Sequence, residues 1–401
     1  MSPTLLSLLK KVVVVSPDNL PLQPAMLFGS GGFARDLINK YHGKISGMLE
    51  SEARIERGDL PNLGYPWLSP DNAVGNILLG TSVSAYQLEQ LQLLAASGAD
   101  NIEQIWIADP YLNERKLANI ESEKRILLIE HGAGIKRHWQ HLIQFRQYFN
   151  QRGYTVSSLC PLMLYSSDAY RFAAATFIWG GQRDIYRIAD PLLQGINPTY
   201  IEYGFFPQSQ HYYLDKKGVN QHCSLMDDDL SWVDEQHLGK LEQVKSGFLQ
   251  GYRHQSADYV LVPLQVPDDA NIINCCRFTN GMQEFIDYIV NYYPTSQKIM
   301  FKAHPKDPKQ HTYNYRGKHH SDEPFLVLLQ HAKHVHGITS STLYEAALAG
   351  VDIITEGLSL LSRHQNNLTK LFAAMVDRQV PVSENNLKYW LDRYSFSRVN
   401  G

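Results

Sequence analysis

The chain has 401 residues, with 37 Lys and Arg against 40 Asp and Glu, a formal net charge of −3 and 44% hydrophobic residues. That length exceeds what one core usually supports, so two domains are expected; near-neutral charge without a Lys/Arg run or basic helix argues against nucleic acid as a partner. Cys160, Cys223, Cys275 and Cys276 make no C-x-x-C pair, which suggests neither a zinc cage nor a disulfide framework and fits a reducing, cytoplasmic setting.

Along the chain, Thr4 to Val15 is apolar but broken by Lys10 and Lys11, and it reads as an amphipathic helix or a buried strand. It is too short to span a bilayer, and no other segment reaches that length. Membrane contact would be peripheral, at the inner membrane, or supplied by other parts of a longer chain. Apolar runs at Ala25 to Phe28, Ile45 to Leu49, Asn76 to Leu79, Gln104 to Ile107 and Ile126 to Ile129 read as buried strands. Helices at Leu88 to Ala96 and Trp139 to Tyr148 would cover them, giving parallel α/β layers. A mixed region, Ser157 to Gly218, includes Tyr200 to Phe206 and a turn-like Asp215-Lys216-Lys217-Gly218. The charged, helix-forming stretch Ser224 to Gln255 marks a domain boundary.

Beyond it a second α/β unit is expected. Its strands are Tyr259 to Leu264, Lys298 to Lys302, His334 to Ile338 and Val351 to Thr355, with helices at Gly281 to Tyr292, Phe325 to Ala332 and Ser341 to Ala349. Leu358 to Tyr394 reads as helical. The domains are therefore set at 1–240 and 241–385, both Rossmann-like, with 386–401 a C-terminal helix packing back on the first.

Polar clusters fall where these strands end, the ligand-binding edge of an open α/β sheet. Gly29-Ser30-Gly31-Gly32 opens a helix and could admit an anion; Glu50, about 20 residues on, keeps an NAD reading open beside that of a tight structural turn. Glu130 and His131, followed by Gly132 and Gly134, have the makings of a base and its orienting partner, or of a buried histidine satisfied by carbonyls. Glu202 ends an apolar run, whereas Asp215 lies in the turn-like stretch. Asp227 to Asp229 allow Mg²⁺ or, more simply, a helix cap. In the second half, Gln265 and Asp269 could hydrogen-bond a base or ribose, and Lys302 and His304-Pro305 add cationic donors. Ser340 and Ser341 stand at a helix start where hydroxyls and backbone N–H groups together suit a phosphate.

Several motifs resemble those of bacterial glycosyltransferases that use CMP- or CDP-linked donors. Lys302-x-His304-Pro305 and Ser340-Ser341 followed by Glu345 resemble the HP and serine motifs of polysialyltransferases and CDP-glycerol polymerases, and His131-Gly132 with Lys136 resembles the H-G-x-x-x-K element of the latter. Gln265-Val266-Pro267-Asp268-Asp269-Ala270-Asn271-Ile272 and Glu202-Tyr203-Gly204-Phe205 resemble the Q-V-x-D-D-x-S-I and E-D-G-F elements of KpsC-type capsule β-Kdo transferases. Tyr203, Pro207 and Asn271 depart from that pattern. In combination the motifs look most like the retaining β-Kdo transferase modules of O-antigen synthases of the WbbB type.

The resemblance implies a GT-B-like fold of two Rossmann-type domains with the active site in the cleft between them, the first binding acceptor and the second the CMP-sugar. It implies transfer of Kdo from CMP-β-Kdo to a lipid-linked saccharide acceptor with retention, without metal or other cofactor. Double displacement would need a carboxylate nucleophile: Glu202 first, then Asp269, Asp215 and Glu130, with His131 as acceptor base. Gln265, Lys302, His304, Pro305, Ser340, Ser341 and Glu345 would bind the nucleotide. A CMP-sialic acid or CDP-glycerol transferase, or a nucleotide-sugar binder without activity, stays open beside this.

Overall fold

A computed structural model describes residues 1–98, 100–115, 124–130, 142–167, 170–182, 184–267, 270–278 and 280–381. They fall into two compact units, one up to Thr199 and the other from Tyr200 onward. The helix expected at 386–401 lies outside the described residues, as do His131, Lys136 and Asp269.

In the first unit, the opening apolar segment is both helix and strand. Ser2 caps a helix, Pro3–Leu9, by accepting the Leu5 N–H at 3.2 Å, and the chain turns at the two lysines into β1 (Val12–Val15). Next come β2 (Ala25–Phe28), β3 (Ile45–Leu49), β4 (Trp67–Leu68), β5 (Gly75–Leu79) and β6 (Ile102–Ala108). They form one sheet in the order β1-β6-β5-β2-β3-β4, with every neighbouring pair parallel. Near-continuous apolar runs, rather than alternation, specify such strands because helices cover both faces of a parallel sheet. Further on, β7 (Arg125–Ile129) lies parallel between β8 (Thr155–Leu159) and β9 (Ala175–Trp179).

The second unit begins with an antiparallel hairpin, β10 (Thr199–Tyr203) and β11 (His211–Asp215). Its turn is residues 204–210, so Asp215 to Gly218 leads out of the hairpin rather than forming one. Gly204 is required at this turn: a Cβ there would lie 2.3 Å from that of His211. Then follow β12 (Tyr259–Pro263), β13 (Ile299–Lys302), β14 (His319–His320), β15 (Ala332–Gly337) and β16 (Ile353–Thr355), in a parallel sheet of order β14-β13-β12-β15-β16. The helix Met282–Tyr292 buries Met282, Phe285, Ile286 and Ile289 against Val260, Val262, Ile299 and Phe301. That i, i+3, i+4, i+7 stripe places about 1.5–3 kcal/mol of hydrophobic stabilisation on each large side chain.

Two expectations need correction. Leu358 to Tyr394 is not one helical stretch: helices Leu360–Arg363 and Leu368–Arg378 are followed by β17 (Gln379–Pro381), which pairs with β11. Pro381 disfavours helix at Val380, and the Gln379 amide accepts the Phe205 and Phe206 N–H groups at 2.9 Å each, so tertiary pairing decides this segment. Nor do Asp227 to Asp229 cap the following helix. Asp234 caps Glu235–Phe248, while the three acids go to separate partners: Lys217 for Asp227, the Leu230 N–H and Trp232 for Asp228, and the Ser231 N–H for Asp229. Among the described residues, no helix is long and apolar enough to cross a membrane.

Candidate functional site

The parallel register of the second unit brings its strand ends level. Pro263 of β12 pairs with Lys302 of β13, and Gly337 of β15 with Thr355 of β16. Since β12 is followed in sequence by the strand on one side and flanked by β15 on the other, the strand order reverses at β12 and β15, where open α/β sheets bind ligands.

Gln265 and Thr339 tie that point together. Gln265 Oε1 accepts the Thr339 N–H at 2.9 Å, and its Nε2 donates to Thr339 Oγ1 at 3.2 Å. The buried Gln265 amide is thus spent on fixing the turn that precedes the serine helix, Ser341–Leu348. Ser340 is the cap, its Oγ accepting the Thr342 N–H at 3.3 Å, while Ser341 is exposed at the first turn. Glu345 lies one turn further along the face that Ser341 begins.

On the β13 side, Lys302 reaches the Asp322 carbonyl at 3.4 Å. His304 Nδ1 accepts the Lys306 N–H at 3.1 Å, a geometry that puts the ring proton on Nε2. Pro305 is exposed at the tip. The loop is fixed by Asp307, a buried acid missed in the sequence, which takes the Lys309 N–H at 2.9 Å and the Tyr313 hydroxyl. Its H-P-x-D spacing was the available signal.

The carboxyl of half-buried Glu345 has no hydrogen-bond partner among the described residues, and burial pushes it up to about 7 from an ordinary 4.5. The native state therefore holds the proton more tightly than the unfolded chain. Its contribution is fully present below the unfolded pKa and is lost as pH rises through about 7, costing up to about 3 kcal/mol. Glu345→Gln should match wild type in thermal midpoint at pH 5 and exceed it at pH 8. Equal midpoints at both values would show that the carboxylate is well solvated.

The carboxylates proposed for catalysis have distinct surroundings. Glu202 on β10 pairs with Tyr213 of β11 and shares that sheet face with Tyr200 and Asp215. Its Oε1 accepts the Tyr203 N–H at 2.9 Å. Burial, then Cys223 and Glu202, hold the Tyr213 phenol well above its usual range, which places the Glu202 charge beside that ring. Asp215 is saturated: Oδ1 accepts the N–H groups of Lys217 and Gly218, and Oδ2 accepts the Ser224 N–H and hydroxyl and meets Arg378 at 3.2 Å. It staples the exit of the hairpin to the helix Leu368–Arg378. From that exit, Asn220 donates to Asn271 Oδ1 at 3.1 Å, bringing the hairpin end beside the segment that follows β12.

In the first unit, Glu130 is fully buried and bound to Arg115 at 2.7 Å, with Asp109 on the same guanidinium. Burial alone would lower the Arg115 pKa, but Glu130 and Asp109 together raise it above its ordinary value. Glu50 is likewise engaged, with Ser30 Oγ at 3.0 Å, Arg54 at 2.9 Å and the Ser51 N–H at 3.1 Å. The acid that a dinucleotide reading would give to a ribose is bonded instead to its neighbours at the ends of β2 and β3. None of the four cysteines is in a disulfide. Among the described residues, no group of three or more His, Cys, Asp or Glu is arranged to hold a metal ion.

Residues 240–365 match the family model described as capsule polysaccharide biosynthesis protein, a stretch that contains Gln265, Lys302, His304, Pro305, Ser340, Ser341 and Glu345. Among solved structures, the chain is similar to the Thermosulfurimonas dismutans KpsC β-Kdo 2,7-transferase, with 15% identity and a TM-score of 0.48 over 65% of this chain and 93% of that one. It is also similar to the β-Kdo 2,4-transferase of the same KpsC, with 14% identity and a TM-score of 0.46 over 63% and 90%. No curated protein matches.

Proposed function

We propose that this chain is a retaining glycosyltransferase of GT-B type. It moves β-Kdo from CMP-β-Kdo to a lipid-linked saccharide acceptor in the synthesis of a bacterial surface polysaccharide, an O-antigen. The observation that carries this reading is the strand-end assembly in which the Gln265–Thr339 clamp fixes the turn before the serine helix on one side of β12 while the His304 loop follows β13 on the other, within the stretch matched to capsule polysaccharide synthesis.

The Ser340 turn and the helix N-terminus receive the CMP phosphate, with His304 Nε2–H and Lys302 toward β13 and Glu345 toward the ribose. Charge that develops on the departing phosphate is met by these donors, so the reading requires no divalent ion. A Glu202 oxygen attacks the anomeric carbon as the carbon–phosphate oxygen bond breaks and CMP leaves with the electron pair. The acceptor hydroxyl, deprotonated by His131, then forms the new glycosidic bond and releases the Glu202 carboxylate. Two inversions give net retention.

Titration calorimetry with CMP in EDTA, followed by a transfer assay with CMP-Kdo generated in situ, tests the proposal. Wild type should bind and turn over, and His304→Ala should weaken CMP binding by about tenfold to a hundredfold through loss of a charge-assisted hydrogen bond. Absence of CMP binding by wild type would sink the reading. Binding without transfer to any acceptor would leave a nucleotide-sugar-binding protein, and activity that requires added Mg²⁺ would return Asp227 to Asp229 to consideration.

A further inference from the structure

Behind the β15 and β16 strand ends runs a partly buried hydrogen-bond chain, centred on buried His336, that the reaction above does not use. Tyr293 sits between two histidines of β15, its hydroxyl 2.7 Å from His334 Nε2 and 2.8 Å from His336 Nδ1. His336 is fully buried, and its Nε2 is 2.9 Å from Glu356 Oε1. Glu356, immediately after β16, also accepts the Tyr288 hydroxyl on Oε1 at 2.9 Å and Arg277 on Oε2 at 2.8 Å.

The chain has one self-consistent direction. A carboxylate only accepts, so His336 carries its proton on Nε2 and accepts the Tyr293 hydroxyl on Nδ1. The Tyr293 oxygen then accepts from His334 Nε2–H. Burial holds both imidazoles below the usual histidine range, which keeps them neutral and preserves this order. Each interior link is satisfied, as a buried polar chain must be to avoid a desolvation penalty.

Its outlet is a single guanidinium. Arg277, 59% exposed, lies between the helices Ala270–Cys275 and Met282–Tyr292, 4.5 Å from the Tyr288 ring centroid and 5.2 Å from that of Phe278. The Leu358 N–H, donating to the Cys275 carbonyl at 2.9 Å, ties this loop to the end of β16. The guanidinium donates to Glu356 Oε2 and also engages the Tyr288 side chain, so an acid and a phenol together hold it in place. A mobile surface arginine needs no such support; one held by a partly buried acid and stacked on aromatic faces has already given up the rotamer freedom that ligand binding would remove.

We propose that Arg277 binds the carboxylate of the donor sugar acid, with Glu356 and His336 as the residues that position it. This rests on the sugar-acid donor of the functional reading. In that reading the phosphate is met by the loops after β13 and β15. Arg277 stands on the opposite flank, above β16, so one donor presents its two anions to two separate groups.

CMP lacks the sugar carboxylate, which separates the two claims experimentally. Arg277→Ala should bind CMP within about twofold of wild type yet raise the KM for CMP-Kdo by about tenfold to a hundredfold, with a much smaller change in kcat. Arg277→Lys should recover only part of this, because a point charge lacks the planar fork. Glu356→Gln, which loosens the arginine, should raise the donor KM in the same direction while leaving CMP affinity unchanged. An unchanged donor KM in Arg277→Ala would overturn the proposal and leave the functional reading standing. Lost CMP affinity in that variant would move Arg277 to the phosphate and overturn it too. A wild-type chain that neither binds CMP nor turns over CMP-Kdo would overturn both.

Discussion

Glu202→Gln is expected to fold and bind CMP as wild type does, yet lose transfer by about a thousandfold or more, equivalent to about 4 kcal/mol of activation free energy. The substitution keeps an oxygen to accept the Tyr203 N–H and removes only the charge and the nucleophile. Double displacement requires a carboxylate that can carry the sugar, and the alternatives differ in how committed they are. Asp215 has both oxygens bonded to backbone N–H groups, Ser224 and Arg378, and Glu130 is locked to Arg115. Freeing either would break a buried ion pair before chemistry began. Intact-mass analysis of a slowed enzyme given donor should show a Kdo-sized increment, with the modified peptide containing Glu202. An adduct on Asp269 would keep the mechanism and sink the assignment; normal turnover by Glu202→Gln would do the same.

Arg115→Met should be the most damaging single change in the first unit. Arg115 is almost wholly buried, between Asp109 and Glu130, and also donates to Ser158 Oγ at 3.0 Å. Removing it takes the guanidinium away from two buried acids, a type of loss that costs about 3–5 kcal/mol. The sign of its pH dependence follows from linkage. Without the guanidinium, the buried carboxyls titrate above their unfolded values, so the variant loses stability as pH rises and its deficit is larger at pH 8 than at pH 5. Urea unfolding at both pH values measures this. Adding Glu130→Gln should recover part of the loss, because one of the two buried negative charges is gone. Wild-type stability in Arg115→Met would show that the cluster is solvated and not structural.

The strands were the most legible part of the sequence. Ala25–Phe28 and Ile45–Leu49 have the bounds their apolar runs imply, since a strand covered on both faces advertises itself by continuous burial. The helix Met282–Tyr292 was equally plain from its 3.6-residue stripe. Short motifs at strand ends likewise located Gln265, His304 and Ser340, because α/β topology puts such loops on one edge of the sheet. The partner of each side chain was hidden. Gln265 looked like a ligand contact, and the fold spends its amide on Thr339, 74 positions away.

The acids show the same division. Glu130, Glu202 and Asp215 were alike in sequence as polar residues near strand ends. Only the tertiary structure separated them, since what a carboxylate can do depends on the charges and N–H groups around it, and those come from distant segments: Arg115 for Glu130, Arg378 for Asp215, Tyr213 for Glu202. Glu356 and His336 were passed over for the related reason that their importance lies in a chain through Tyr293 and Arg277 that no local spacing encodes. By itself the sequence determined parallel α/β layering and the positions of the nucleotide-type motifs, because periodicity and turn chemistry are local. Tertiary structure alone decided which polar groups are satisfied and which remain to meet a ligand, because satisfaction is a property of pairs brought together by the fold.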